Sequence, residues 1–282
     1  MKKDRGGRTT SQRGLLARSR ATAPVTLLTD FGTADYYVGA VKAVVLTKNP
    51  AATVVDISHD IPPQDIEAAA FVLLACYRSF PPGTVHVVVV DPGVGSDRRA
   101  IVVRAGGQFF VAPDNGVLSY ILEKELDPRV VQITSQEYFA QPVSNTFHGR
   151  DVFAPVAAMI SLGASLDSIG PEIKDPVRLE PLKPVAGKGK KVKGRIIHID
   201  RFGNCVTNID QTCSPNGFTG ASLNVKGTRI ESFRAYYGEG KSGKLFAIWG
   251  SAGFLEISVQ NRSAAKMLKA QRGDEVVLLR KS

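Results

Sequence analysis

The 282-residue sequence lacks the features that mark membrane, disulfide-rich and zinc-binding proteins. No apolar run approaches the roughly 18–20 residues that a membrane helix needs, and the first 24 residues lack the apolar core of a secretory signal. The three cysteines are an odd count without a Cys-x-x-Cys pair, which argues against a disulfide framework and a zinc site. We therefore expect no membrane association and a cytoplasmic location.

Local motifs of several enzyme classes are also missing. None of the four histidines has an H-E-x-x-H or similar metal-binding spacing. There is no G-x-S-x-G nucleophile elbow, and no cysteine lies in a loop with a partner histidine. The glycine-rich stretch DPGVGSDRR (residues 91–99) has no lysine followed by Ser or Thr and leads into a strand, so it fits neither nucleotide-phosphate motif. We expect no metal and no cofactor.

The net charge of +10 is concentrated in two segments. Residues 1–20 contain seven basic residues and one acid, and residues 181–199 contain six basic residues and no acid. The remainder therefore has a slight excess of acid. Because a tail and a linker supply the basic charge, the pI is weak support for nucleic-acid binding. We expect no nucleic-acid partner, and a basic nucleic-acid-binding module stays as a second alternative.

Hydrophobic patterning predicts an α/β protein of two domains. Residues 1–24 are predicted to be a disordered basic tail. In residues 25–180, Val/Ile/Leu strands alternate with helices, which predicts a mostly parallel sheet with helices on both faces. Residues 181–193 are rich in Pro, Gly and Lys and are predicted to be a linker. Short strands and turns in residues 194–282 predict a small β-barrel.

Polar residues follow several of the predicted strands. Asp30, Asp56 and Asp91 lie at or near the ends of the first three, and Asp114 and Asn115 follow the strand FFVA. Because the carboxyl ends of parallel strands share one edge of a sheet, these residues predict a polar pocket there.

Three other residues have simpler structural interpretations. His86 lies within a predicted strand and is interpreted as a core residue. Cys76 lies on an apolar helix face and is interpreted as an inert core residue. His59, in a loop between two acids, is interpreted as part of a surface turn.

The DPGVGSDRR stretch has a possible catalytic role. Its glycines allow a tight turn that brings Asp91 beside Arg98, while Asp97 and Arg99 are expected to be solvated neighbours. A carboxylate, a guanidinium and a separate histidine can hold one water and share its proton. From the residues alone, a salt bridge that stiffens the loop explains the pair equally well.

Six segments carry a family resemblance: TLLTDFG, VVDISHDIPPQDIEAAAF, VHVVVVDPGVGSDRRA, FVAPDNGVL, NTFHGRDVFAP and HIDRFGNCVTNI. In this order, the sequence resembles the adenosine-forming S-adenosyl-L-methionine (SAM) hydrolases, also called SAM hydroxide adenosyltransferases, which are relatives of the fluorinase and chlorinase. The resemblance implies an N-terminal α/β domain, a C-terminal β-barrel and a homotrimer with active sites between subunits. It also implies hydrolysis of SAM to adenosine and L-methionine, by in-line attack of an activated water at the ribose C5′.

The resemblance also implies roles for particular residues. The catalytic set falls on Asp91, Arg98 and His148. The implied substrate-binding residues are Asp30 for the ribose hydroxyls, Asp200 and Asn204 for the methionine ammonium and carboxylate region, Phe202 for the adenine, and Asn115, Ser251 and Asn261 for further contacts.

The sequence departs from the family at three positions, since Gln64 and Val206 replace tryptophans and Ala252 replaces an arginine. Within the family, the alternative is a halogenase that forms 5′-chloro- or 5′-fluoro-adenosine. The Asp91 carboxylate would repel a halide, which favours hydrolysis.

Overall fold

Two sheets, each with its own hydrophobic core, organise the chain. The computed structural model describes residues 23–187, 191–214 and 220–280. The strands of the first sheet are β1 (Val25–Thr29), β2 (Val54–Ser58), β3 (Val85–Val89), β4 (Ala100–Ala105), β5 (Gln108–Pro113) and β6 (Arg129–Gln132). The helices are α1 (Tyr37–Lys48), α2 (Ile66–Cys76), α3 (Ser119–Lys124), α4 (Ala154–Ser161), α5 (Leu166–Ile169) and α6 (Ala264–Leu268).

The first sheet has the order β2-β1-β3-β5-β4-β6. Its β1–β2, β1–β3 and β3–β5 pairs are parallel, whereas β4 is antiparallel to both β5 and β6. Five of the six strands therefore run in one direction. Strands β4 and β5 form a hairpin, with Gly106 and Gly107 at positive φ in its turn.

Helices cover both faces of this sheet, as the near-continuous apolar strands predicted. Leu27 and Val87 face a core shared with α1 and α4. Leu28 and Val88 face the opposite core, which includes residues of α2 and α3. Neighbouring residues of one strand thus enter different cores, because side chains alternate across a sheet. The predicted α/β fold with a mostly parallel sheet is confirmed.

The second sheet is curled and largely antiparallel. Its strands are β7 (Val185–Ala186), β8 (Lys191–Ile199), β9 (Cys205–Asp210), β10 (Ser222–Val225), β11 (Thr228–Ile230), β12 (Phe233–Arg234), β13 (Leu245–Trp249), β14 (Phe254–Val259) and β15 (Glu275–Leu279). The path runs β11-β10-β15-β8-β9-β14-β13-β12, with β7 beside β8. Since β11 also lies against β13, the sheet curls back on itself around one apolar core, as in a small barrel.

The segment predicted as a linker contributes to this second sheet. Within residues 181–193, β7 pairs with β8, which itself begins at Lys191. Residues 188–190 of the predicted linker and residues 1–22 of the predicted tail lie outside the described residues. The domain limits themselves stay a prediction.

The two domains pack on each other within the chain. Phe71 and Tyr120 of the first domain share a buried cluster with Ile197 and Val206 of the second. Two ion pairs lie across the same boundary, Arg195–Glu67 at 3.2 Å and Arg272–Asp65. Across the described part of the chain, no helix has both the length and the apolar character needed to cross a bilayer.

Candidate active site

A small polar pocket lies at the carboxyl edge of the first sheet. Asp30 follows β1 and Asp91 follows β3, and these neighbouring parallel strands bring the two acids to the same edge. The pocket has a volume of about 300 Å³. It is lined by Asp30, Phe31, Gln64, Val89, Asp91, Pro92, Val94, Thr146, Phe147, His148 and Gly149.

Asp91 and Arg98 form a two-point ion pair beside this pocket. Arg98 Nε donates to Asp91 Oδ1 at 2.9 Å, and Arg98 Nη2 donates to Asp91 Oδ2. Only 5% of the Asp91 side chain and 10% of the Arg98 side chain are exposed. Arg98 also lies over the Phe153 ring, 5.4 Å from its centroid. The planar guanidinium is thereby fixed in one orientation.

His148 completes the arrangement from a distant part of the chain. Its Nδ1 lies 2.8 Å from Arg98 Nη2. A guanidinium has only donors, so Nδ1 must accept this bond, and the neutral ring carries its proton on Nε2. Burial, and next the charge of Arg98, lower the pKa of His148 below its usual value. The structure therefore favours a neutral His148 at neutral pH.

The loop that carries Asp91 and Arg98 is held against the segment before His148. Gly95 has φ of +80°, and a Cβ there would lie 2.3 Å from the Asn145 carbonyl oxygen. Only glycine permits this close approach. His148 itself precedes a π-helical turn, Gly149–Phe153, a local feature that often occurs at functional sites.

Asp151 is a residue of this region that the sequence interpretation missed. It is 2% exposed and accepts hydrogen bonds from Arg150 and from the backbone N–H of Ser144. Burial acts to raise the pKa of Asp151, but the bonds from Arg150 and Ser144 outweigh it and lower the pKa. The sequence signal for Asp151 was its place in the motif HGRD, residues 148–151, two positions after a glycine.

Asp30 lies opposite Asp91 in the pocket. Its Oδ2 accepts a 2.8 Å bond from the backbone N–H of Gln64. Gln64 is exposed and has φ of +66°, a left-handed conformation that costs a non-glycine residue about 1 kcal/mol or more. The Gln64 side chain lines the pocket at the position where the family has a tryptophan.

Asn115 uses its side chain to hold the backbone. Its Nδ2 donates to the Val90 carbonyl at 2.9 Å, and its Oδ1 accepts from the Val117 N–H at 3.2 Å. Val90 directly precedes Asp91. Asn115 therefore fixes the backbone next to Asp91 and is not among the residues that line the pocket.

The predicted substrate contacts of the second domain do not line this pocket. Asp200 accepts bonds from the backbone N–H groups of Phe202 and Asn204 and from the Asn204 side chain, which builds a tight turn. Phe202 at this turn is 77% exposed. Ser251 and Asn261 are also exposed. The chain thus brings Asp30, Asp91, Arg98 and His148 together, and leaves the second group apart from them.

Two departures from the family have clear structural consequences. Val206 is 4% exposed and lies in the cluster between the domains, so it fills core space and offers no surface to a ligand. Ala252 packs on the same cluster. With Ser251, it also borders a second cavity of about 600 Å³ between the domains, which does not include Asp91 or His148.

Two interpretations of single residues were wrong. His59 is 6% exposed instead of lying in a surface turn, because Thr29 and Asp56 hold its ring. Arg99 is not a solvated neighbour of Arg98. It binds Asp114 and Asp175, since adjacent residues at the start of β4 point to opposite sides. Asp97 is exposed as expected, and the buried His86 bonds Thr26 and Gln108.

In the described ranges, no three His, Cys, Asp or Glu side chains are grouped closely enough to hold a metal ion. The ion pair and His148 are instead suited to binding a small polar molecule and to moving a proton. Beyond that, the geometry alone does not specify a substrate.

Comparison with known proteins identifies the family of this chain. Residues 25–170 match the SAM hydroxide adenosyltransferase N-terminal domain, and residues 194–277 match the corresponding C-terminal domain. An (R)-S-adenosyl-L-methionine hydrolase of Methanocaldococcus jannaschii is 36% identical over 279 residues, covering 94% of this chain and 99% of the relative. A fluorinase of an Actinoplanes species is 27% identical over 67% of this chain and 72% of its own length.

A solved structure agrees with this relationship. An uncharacterised conserved protein from Thermotoga maritima superposes with a TM-score of 0.84 at 37% identity, covering 91% of this chain and all of that one. The matches include both domains in their order along the chain. The chain therefore belongs to the SAM hydroxide adenosyltransferase family.

Proposed function

We propose that this protein hydrolyses SAM to adenosine and L-methionine. The observation that carries the proposal is the largely buried Asp91–Arg98 ion pair, hydrogen-bonded to the partly buried His148 beside a pocket. The set occurs in a chain that is similar over nearly its whole length to a named (R)-SAM hydrolase. The fluorinase is more distant and covers less of the chain, which favours hydrolysis over the halogenase alternative.

The reaction is an in-line displacement at the ribose C5′. The oxygen of a water forms a bond to C5′ as the bond from C5′ to sulfur breaks, and the electron pair neutralises the sulfonium. Methionine leaves as a thioether, and the proton lost by the water passes to the protein and then to solvent. Because the sulfonium is already a good leaving group, the chain has to position and activate a poor nucleophile.

The proposed division of labour follows from the hydrogen bonds. Arg98 occupies one lone pair on each Asp91 oxygen, which leaves a further lone pair on each to accept the water proton. His148 accepts from Arg98 through Nδ1, so its Nε2–H is free to hold the oxygen of the nucleophile. The fixed charge of Arg98 stabilises negative charge that develops on that oxygen.

Substrate binding is proposed to involve two copies of the chain. Asp30 would accept hydrogen bonds from the ribose hydroxyls. Asp200 and Asn204 would hold the methionine end, Phe202 would stack on adenine, and Ser251 and Asn261 would make further contacts. Because these residues of the second domain do not line the pocket, a neighbouring copy would supply them, as in the homotrimer that the family resemblance implies.

We also propose a cytoplasmic location, the absence of a cofactor and the absence of a nucleic-acid partner. Retention of salt-dependent RNA binding after removal of residues 1–24 would instead support the nucleic-acid alternative.

The test is product analysis in ¹⁸O-labelled water that contains chloride. The protein is incubated with the separated sulfonium epimers of SAM, and products are identified by mass spectrometry. We expect adenosine that carries one ¹⁸O at the 5′ position, and equimolar methionine. The appearance of 5′-chloro-adenosine, or the absence of enzyme-dependent adenosine, would contradict the proposal.

A further inference from the structure

A chain of polar contacts leads from Thr29, the residue before Asp30, through His59 to Asp56. Thr29 Oγ1 lies 2.8 Å from His59 Nδ1, and His59 Nε2 lies 3.1 Å from Asp56 Oδ1. Lys42 Nζ donates to the other Asp56 oxygen at 2.6 Å. Thr29 and His59 are 1% and 6% exposed, so the middle of the chain is shielded from water.

The direction of each bond in this chain can be assigned. His59 Nε2 makes no hydrogen bond, but it lies 3.1 Å from Asp56 Oδ1, and the charge of an ionised carboxylate favours the tautomer with its proton on Nε2. In the neutral ring, Nδ1 is then an acceptor, and the Thr29 hydroxyl donates to it. The Thr29 oxygen in turn accepts the Phe31 backbone N–H at 3.3 Å. The Phe31 N–H and the Thr29 hydroxyl therefore both donate in the direction of His59.

The Asp56 end of the chain suits this assignment. Burial acts to raise the pKa of Asp56, but the hydrogen bond from Lys42 and the nearby His59 ring outweigh it and lower the pKa. Asp56 is therefore an anion at neutral pH, and its charge faces His59 Nε2.

These bonds fix the backbone that directly follows Asp30. The Thr29 side chain holds the Phe31 N–H, and the His59 carbonyl accepts the Gly32 N–H at 2.8 Å. The Asp30 carboxylate is separately held by the Gln64 N–H. Asp30 and Phe31 both line the pocket. The orientation of Asp30 thus depends on a histidine that does not reach the pocket itself.

We propose that His59, acting through Thr29, is a positioning residue that aims the Asp30 carboxylate at the ribose hydroxyls of the substrate. This inference rests on the proposed function. A Thr–His–Asp set also resembles a nucleophile with its base, but substrate atoms cannot reach a threonine that is 1% exposed. The hydroxyl acts on the loop and not on the substrate.

The same strand provides a matched control. Thr26, three residues earlier on β1, also contacts a buried histidine, with Oγ1 2.7 Å from His86 Nδ1. His86 is bonded in turn to Gln108, and this second pair lies away from the pocket. Thr29→Val and Thr26→Val each remove one buried hydroxyl from a threonine–histidine pair. The two variants should cost similar stability and should differ in their effect on the pocket.

The experiment compares wild type, Thr29→Val, Thr26→Val and the conservative Thr29→Ser. KM and kcat for SAM, Kd for adenosine and the unfolding midpoint are measured for each. We expect Thr29→Val to raise KM and the adenosine Kd by roughly tenfold, as for loss of about one well-placed hydrogen bond. Thr26→Val should leave both constants near wild type, and Thr29→Ser should restore them.

Equal effects of Thr29→Val and Thr26→Val on adenosine affinity would overturn the proposal. If Thr29→Val does not fold, His59→Gln, which removes the ring that contacts Thr29, replaces it, and an adenosine Kd equal to wild type would overturn the proposal. If the proposed function is wrong, the wild-type protein will bind adenosine but will not hydrolyse SAM, which is a separate result. The comparison of adenosine affinities still tests the role of His59 in that case.

Discussion

The polar pocket of the first domain and the exposed turn of the second differ in how far one chain completes them. Around the pocket, Asp91, Arg98 and His148 are partly or largely buried and are joined by hydrogen bonds through Arg98. The loop that carries Asp91 and Arg98 requires a glycine at position 95. In the second domain, the Asp200 turn is well formed, yet Phe202 is 77% exposed and does not line the pocket that contains Asp91.

This difference suggests a division between chemistry and substrate recognition. A preorganised ion pair can act only if its geometry is fixed before the substrate arrives, so it is built within one domain. An exposed aromatic ring becomes part of a binding site only when another molecule packs against it. We infer that one chain carries a prepared reaction centre, and that the recognition surface faces a neighbouring copy.

The largest expected effect comes from removing the proton acceptor in the pocket. Asp91→Asn keeps the volume but not the charge or the proton affinity of the side chain, so kcat should fall roughly 10³-fold or more. Adenosine should still bind, because the ribose contact is assigned to Asp30. Steady-state kinetics and calorimetry measure the two properties. Asp97→Asn, an exposed acid in the same loop, is the control, and a wild-type rate in Asp91→Asn would contradict the account.

The two neighbouring arginines should separate catalysis from stability. Arg98→Lys should lower kcat by roughly 10²-fold, since one ammonium cannot reproduce two bonds to Asp91 and one to His148. Arg99→Lys should leave kcat nearly unchanged and lower the unfolding midpoint, because Arg99 links Asp114 to Asp175. Parallel activity and thermal-melt measurements test both. Similar kinetic losses in the two variants would show that the distinction is wrong.

A smaller effect, on binding, is expected in the second domain. Phe202→Ala should raise KM for SAM roughly tenfold with little change in kcat, because stacking on a base is worth about 1–3 kcal/mol. Leu126→Ala removes another exposed apolar side chain, 90% exposed in the first domain, and should change neither constant. A fall in kcat at unchanged KM for Phe202→Ala would place the ring in the reaction centre.

The smallest effect is a shift in the pH profile. Burial and the charge of Arg98 lower the pKa of His148, so the ring stays neutral until the pH falls below the usual histidine value of about 6.5. Protonation would place a second cation against Arg98 and break the bond to Nδ1. The rate should therefore decline on acidification with a midpoint below 6.5. An acid limb with the same midpoint in His148→Gln would belong to another group and contradict this assignment.

Local sequence patterns were sufficient for most of the fold. The Val-rich β3 is buried on both faces, and its continuous apolar pattern predicts that placement without tertiary information. The linker was harder, because β7 has two residues and gains its structure from pairing with β8. A strand that short carries almost no periodicity of its own.

The candidate site was less accessible from residue patterns. Asp91 and Arg98 are seven positions apart, but His148 is fifty residues beyond Arg98, and no spacing rule connects them. That grouping came from the family resemblance. His59 was misread because its partners Thr29 and Asp56 lie on two different strands, which only the fold brings together.

The comparison between the two domains can be tested most directly by mixing two variants that are each impaired in one domain. Asp91→Asn is co-expressed with the double variant Asp200→Asn/Phe202→Ala, and the mixed oligomers are assayed at SAM concentrations far below the wild-type KM. If each site joins two copies, random assembly should restore about a quarter of the wild-type activity per site. Co-expression of Asp91→Asn with Arg98→Ala, which damage the same pocket, should restore none. Activity no greater than that of the separate variants in the first mixture would show that the site lies within one chain.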